Sequence, residues 1–175
     1  RLRQELDLDF VIANGENVSG GKGITEDAAR DLFDSGVDVL TGGNHSFQHR
    51  ESYDLFERDA RFLRPANLPP GAPGRGLGIY QAPNARYVAV INLMGRAFMK
   101  PIDCPFRAAE NLASEALAVT PILIMDFHAE ATSEKQAFAY FVDGRATAVI
   151  GTHTHAPTSD YRLLPGGTAY QSDVG

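Results

Sequence analysis

The sequence predicts an α/β fold with a largely parallel or mixed sheet. Two observations carry the prediction. Short apolar, β-branched runs alternate along the chain with segments of helical spacing, the pattern of strands joined by helices. Residues of ligand type also follow strand after strand, and in open α/β sheets sites gather at the carboxyl ends of strands.

"LDFVIA" (8–13) is a short apolar run consistent with a buried strand. Residues 25–36 read as a helix: Thr25 can cap it, Glu26 and Asp27 suit its positive end, and Gly36 can end it. Ala28, Ala29, Leu32 and Phe33 share a face. "VDVLT" (37–41) is the next strand, and residues 51–64 are predicted helical. "ANLPPGAPGRG" (66–76) is a Pro/Gly loop within one domain, because neither side is complete without the other. "YVAVINL" (87–93) is a strand, 106–118 a helix, "ILIMD" (122–126) a strand, 133–141 a helix and "ATAVI" (146–150) a strand. No internal repeat is visible. The start "RLRQELDLDF" reads as a helix tail entering a strand, and "AYQSDVG" as a strand leaving into a loop. Both ends read as cut, so the expectation is a single domain over 1–175 that is a fragment of a longer protein.

Composition narrows the function classes. The chain has 175 residues, 43% hydrophobic and 22% charged, which is ordinary for a soluble globular domain. A net charge of −6 argues against non-specific binding to nucleic acid or anionic membrane. No apolar run reaches the length of a membrane span. The single cysteine, Cys104, cannot form an internal disulfide and favours a reducing, cytoplasmic setting.

Four of the five histidines stand at predicted strand ends. "NGEN" follows the first strand with Glu16 and Asn17, and "GGNH" follows the second with Asn44 and His45. "DFHAE" places His128 after the strand at 122–126, and "GTHTH" places His153 and His155 after the last. Each motif alone has a structural reading as a turn or a satisfied histidine; four strand ends carrying ligand-type residues together point to metal. Imidazole suits zinc, iron or manganese, while carboxylate and amide oxygens suit harder ions. A carboxylate can bridge two ions about 3.5–4 Å apart. His-x-His on an extended segment sends both rings to one face; on a turning segment they can serve different metals. Asp126 and Glu130 flank His128 and are candidates to orient a ligand imidazole. His49 reads as surface at a helix start, "SGGKG" (19–23) as a turn without P-loop spacing, and Arg96 as either a phosphate contact or a salt bridge.

"GNH" after one strand, a single His after a later one and "GxHxH" after the next resembles the calcineurin-like metallophosphoesterases. With "NGEN" in place of that superfamily's usual "GDxxD", and with "DFHAEATSEK", "GTHTHAPT", "NLMGRAFM" and "GGTAYQSDVG", the chain is similar to the YmdB-like branch and its 2′,3′-cyclic nucleotide phosphodiesterases. The resemblance implies a layered sheet flanked by helices and two divalent or transition ions, iron or manganese, with zinc as the alternative. It implies Glu16 as the bridging carboxylate, Asn44, His128 and His153 as further ligands of one ion, and His155 as a ligand of the other. Asn17 matches a residue near the phosphate, and His45 matches a catalytic histidine that is not a ligand. The implied reaction is two-metal hydrolysis of a small-molecule cyclic nucleotide, with His45 donating a proton to the leaving ribose oxygen. No stable nucleic-acid complex and no membrane partner are expected, and a homo-oligomer is left open. The family's first strand, with an Asp ligand, has no counterpart here, nor does its C-terminal part; Asp173 is the first candidate for a substitute ligand. The alternatives are a phosphomonoesterase or nuclease with the same metal centre, or a non-catalytic metal-binding regulatory module.

Overall fold

The computed structural model describes residues 2–175. In chain order the elements are α1 (Leu2–Glu5), β1 (Ile12–Asn14), α2 (Glu26–Asp34), β2 (Val39–Thr41), α3 (Arg50–Arg58), β3 (Phe62–Leu63), β4 (Leu77–Gln81) and β5 (Tyr87–Met94). Then follow α4 (Pro105–Leu117), β6 (Leu123–His128), α5 (Thr132–Phe141), β7 (Ala148–Thr152), β8 (Arg162–Leu163) and β9 (Ala169–Gln171). The helix tail read at the start of the chain is α1; Arg1 lies outside the described residues.

The strands form two sheets. One is parallel, in the order β1-β2-β3; the other runs β4-β5-β6-β7-β9-β8, parallel from β5 to β9 with an antiparallel strand at each edge. Period-2 alternation along the strands sorts the apolar side chains into three layers. Leu40 faces α2 and α3, packing with Ala29, Leu55, Phe56 and Phe62. Its neighbour Val39 faces the other way, joining Leu63, Val88 and Val90 between the sheets. Ala89, Ile91, Met125 and Phe127 point to the far side, where α4 supplies Ala109, Ala113 and Ala116 and α5 supplies Phe138. Phe127 and Phe138 stack there with ring centroids 4.2 Å apart. The order of layers is therefore helix, sheet, sheet, helix.

Several boundaries differ from those the sequence predicts. The helix expected over 51–64 ends at Arg58, and Phe62–Leu63 pairs in parallel with Leu40–Thr41 as a strand. The break is local: the Asp59 carboxylate accepts the backbone N–H of Arg61 at 2.9 Å, closing a turn where the helix would continue. β4 was not predicted at all; its alternation is weak, and its pairing with β5 is a tertiary fact. The first strand lies at 12–14 rather than 8–13, since Asp38 takes the Val11 N–H at 2.7 Å. Thr25 sits at the N-cap of α2 in extended conformation but makes no side-chain cap. Its hydroxyl is 2.9 Å from Ser19 Oγ, which also accepts the Thr25 N–H. The Pro/Gly loop is tied to the end of β5: the buried Asn67 side chain donates to Met94 O at 2.7 Å and accepts from Met94 N at 2.9 Å.

One buried ion pair stands beneath the end of β7. Lys135 Nζ on α5 lies 2.7 Å from Asp173 Oδ2. Burial raises the Asp173 carboxyl, but the Lys135 ammonium and the N–H groups of Gly175 and Thr154 outweigh it and hold the group below its ordinary 3.8. A depressed carboxyl stabilises the fold above its unfolded-state value, and that contribution is lost as pH falls through the lower folded-state value. Asp173→Asn is expected to cost about 3 kcal/mol at neutral pH. The gap between variant and wild-type urea midpoints should narrow below pH 4. A gap constant from pH 7 to pH 3 would contradict the assignment.

Candidate metal centre

The strands that carry the motifs do not lie side by side in one sheet. β1 and β2 belong to the first sheet, β6 and β7 to the second, and their carboxyl ends meet across the interface. What joins them is a buried polar set. Asp126, inside β6, accepts from Asn14 Nδ2 at 3.0 Å and from the Thr41 hydroxyl, both from the opposite sheet, and from Thr152 Oγ1 at 2.7 Å. Asn92 of β5 accepts the Gly42 N–H at 3.2 Å. Burial lifts the Asp126 carboxyl above its ordinary value, against His128 and the three donors. Asn14, Thr41, Thr152 and Asn92 escaped the sequence reading. Their only signal is a polar residue at or near the buried end of an otherwise apolar strand.

This set orients the imidazoles. The Thr152 hydroxyl has one hydrogen and gives it to Asp126, so its oxygen must accept from His128 Nδ1, 2.9 Å away. The neutral His128 then carries its lone pair on Nε2. Around that atom stand Asn44 Oδ1 at 2.9 Å, Glu16 Oε2 at 3.0 Å and His153 Nδ1 at 3.1 Å. His153 Nε2 faces Glu130 Oε2 at 3.0 Å, which places its proton there and leaves Nδ1 free. Both flanking acids of the sequence reading thus bear on a histidine: Asp126 on His128 through Thr152, Glu130 on His153 directly. Four acceptor atoms converge with no proton assigned between them. A proton on one of these atoms, such as His128 Nε2, or a bound cation satisfies such an arrangement.

Glu16 is 1% exposed. Burial raises its carboxyl, but a protonated His128, through its hydrogen bond and charge, together with the His45 N–H and the His45 charge, brings it below its ordinary value. Its second oxygen, Oε1, accepts the His45 N–H at 2.6 Å and lies 3.2 Å from His45 Nδ1. Burial and the charge of a protonated His128 depress His153, opposed by Glu130 and Glu16. Glu16, His128 and His153 are the residues whose ligand atoms fall within 4.8 Å of one another among the described residues. Asn44 adds its amide oxygen. His45 stands apart from this group, its ring against the Asn44 amide nitrogen at 3.2 and 3.3 Å.

His155 does not join the first cluster. Its Nε2 is 3.2 Å from Asn17 Nδ2, which also donates to Glu16 Oε2 at 3.2 Å. Asn17 Oδ1 is buried without a hydrogen-bond partner. A cleft of about 290 Å³, lined by Glu16, Asn17, His128, His153 and His155, opens onto this side. Asp173 does not reach the cluster, because Lys135, Thr154 and Gly175 occupy its oxygens. Arg96 presents its backbone N–H to the Glu134 carboxylate at 2.9 Å, and its side chain is exposed. His49 is half-buried rather than free surface, with Nε2 2.9 Å from the Lys22 carbonyl. It pins the 19–23 turn, whose Gly20, Gly21 and Gly23 take positive φ.

The glycines of "GGNH" are there for space. A Cβ on Gly43 would overlap the His128 imidazole, and one on Gly42 would overlap Ser46 Oγ. Gly43→Ala is therefore expected to displace His128 from Glu16 and Asn44. Metal content measured on the purified variant should fall well below wild type, while Gly20→Ala, which strains only an exposed turn at φ +63° and meets no neighbour, should leave metal content unchanged. Equal metal in Gly43→Ala and wild type would show that the ring has room to move.

Two sheets enclosed by helices, with the strand ends of both sheets meeting at one polar cluster, place the chain in the metallophosphoesterase fold class. The chain belongs to the YmdB-like family, whose model, described as YmdB-like protein, matches residues 1–175. It is 49% identical over 175 residues to the 2′,3′-cyclic-nucleotide 2′-phosphodiesterase of Bacillus subtilis (strain 168), covering 100% of this chain and 66% of that protein. A crystal structure of a hypothetical protein from Thermus thermophilus superposes with a TM-score of 0.93 at 46% identity, over 99% of this chain and 67% of the other. That of a novel phosphatase from Mycoplasma pneumoniae gives 0.90 at 34% identity, over 99% and 63%. The chain thus spans about two thirds of the length of these relatives. Among the described residues no helix is long and apolar enough to cross a membrane.

Proposed function

We propose that this chain carries the metal centre of a phosphodiesterase that hydrolyses 2′,3′-cyclic nucleotides. The observation that supports this best is the convergence of Glu16 Oε2, Asn44 Oδ1, His128 Nε2 and His153 Nδ1, each presenting a lone pair, with the His128 and His153 tautomers held from behind. Two imidazoles, a carboxylate and an amide oxygen suit iron or manganese, with zinc as the alternative. The other oxygen of Glu16, His155 and the unpartnered oxygen of Asn17 border a second position. Asn17 thereby fits a cation through its oxygen better than a phosphate through its NH₂, which already faces Glu16 and His155.

Ions bound there would supply an activated water and positive charge against the phosphoryl oxygens. The chain's own residues do the rest. Glu16 sets the spacing, Thr152 and Glu130 fix the ring orientations, and the cleft admits a compact diester. His45 is held beside Glu16 and outside the ligand cluster, where it can donate a proton to the leaving ribose oxygen. The similarity to the Bacillus subtilis phosphodiesterase favours the cyclic diester as substrate. Turnover of 2′,3′-cyclic AMP, a phosphomonoester and single-stranded RNA by the metal-loaded full-length protein tests the reading. The cyclic nucleotide should be preferred; a faster monoester or RNA would replace the substrate class, and a protein that binds no metal would overturn the centre.

A further inference from the structure

The His153–Thr154–His155 turn is the most strained part of the site. His153 has φ +108° and His155 φ +59°, both in the left-handed region. Each costs on the order of 1–3 kcal/mol and persists only where the surroundings over-determine it. The group that over-determines it takes no part in the centre described above. Asp173 Oδ2 accepts the Thr154 N–H at 3.0 Å, the Thr154 hydroxyl at 2.8 Å and Lys135 Nζ at 2.7 Å, while Oδ1 accepts the Gly175 N–H at 2.9 Å.

Asp173 is itself held in place. Val174 N donates to Gly151 O at 3.0 Å, and a Cβ on Gly151 would overlap the Ser172 carbonyl, so backbone meets backbone beside the end of β7. Lys135 and Asp173 are each 1% exposed. A buried pair of this kind is a poor source of stability, since apolar residues of similar volume often do as well or better. Its geometry has a more specific use. With Thr154 gripped from below, the two flanking histidines leave the turn in different directions. His153 Nδ1 reaches 3.1 Å from His128 Nε2, and His155 Nε2 reaches 3.2 Å from Asn17 Nδ2.

We propose that Asp173, anchored by Lys135, is a positioning residue that grips Thr154 and thereby divides His153 and His155 between two metal positions. This rests on the two-position centre proposed above. Thr154 is exposed, so changing its side chain disturbs little packing. That makes it the cleanest handle on the grip.

The test is Mn²⁺ titration of the full-length protein, followed by the visible spectrum of its Co²⁺ form. Thr154→Val keeps shape and removes one donor; Asp173→Asn weakens the whole grip; Thr154→Ser restores the hydroxyl. Loss of an outer partner costs about 10–100-fold in metal affinity. That loss is expected at the His155-side ion in Thr154→Val and Asp173→Asn, with a changed Co²⁺ spectrum, a nearly unaltered first ion and recovery in Thr154→Ser. Thr154→Val should melt close to wild type. Wild-type affinities and spectrum in both variants overturn the grip while leaving the centre standing, as does an equal loss at both ions that tracks the melting temperature. A wild-type protein that binds no Mn²⁺ overturns the centre, and this inference with it.

Discussion

Glu16→Gln is expected to empty both metal positions. Glu16 lies with one oxygen 3.0 Å from His128 Nε2 and the other accepting the His45 N–H at 2.6 Å. The second contact admits only an acceptor, so the glutamine amide must turn its NH₂ toward His128. There it donates to the lone pair that otherwise awaits a cation, and the acceptor cluster is satisfied without metal. In the centre proposed above, the site also loses its one negative charge. The affinity loss should exceed the roughly 10–100-fold that an outer-sphere change costs. The metal-free variant should melt no lower than metal-free wild type, because a buried carboxylate has been removed. Elemental analysis reads the outcome directly; normal occupancy of both positions in Glu16→Gln would defeat the bridging role.

His45→Ala should do the reverse, keeping metal and losing turnover. The ring stands beside Glu16 and Asn44 but outside the group of converging ligand atoms, and its backbone N–H, which serves Glu16, survives the substitution. Loss of a proton donor to the leaving oxygen lowers kcat by about 10²–10⁴-fold. KM should move far less, since the residue acts as the bond breaks. A substrate with a leaving group of low pKa needs no proton and should be hydrolysed by His45→Ala at close to the wild-type rate. If His45→Ala instead loses metal, the residue is a ligand and the assignment falls.

Much of this was legible in the chain itself because it is written in local chemistry. The strand motifs at 87–93 and 122–126 announce themselves by apolar β-branched runs, and both are strands in the structure. The helices around 106–118 and 133–141 follow from spacing and stand within one residue of the expected bounds. Ligand-type residues after "NG", "GG" and "GT" marked the same strand ends that meet in space. The strand β3 was not legible, because a two-residue strand has no period to read and becomes a strand only by pairing.

The residue types able to hold a metal, and the strand ends on which they stand, were determined by the sequence alone. Only the tertiary structure decided that these ends belong to two sheets, and that they meet through Asp126 and its partners Asn14, Thr41 and Thr152. It alone assigned the free lone pairs of His128 and His153, through Thr152 and Glu130. It also gave Asp173 to Thr154 and Lys135 rather than to the cluster. The reason is physical: a side chain's capacity to coordinate is intrinsic, but which nitrogen carries its proton depends on neighbours that lie up to 138 residues away in the chain, as Asn17 and His155 do.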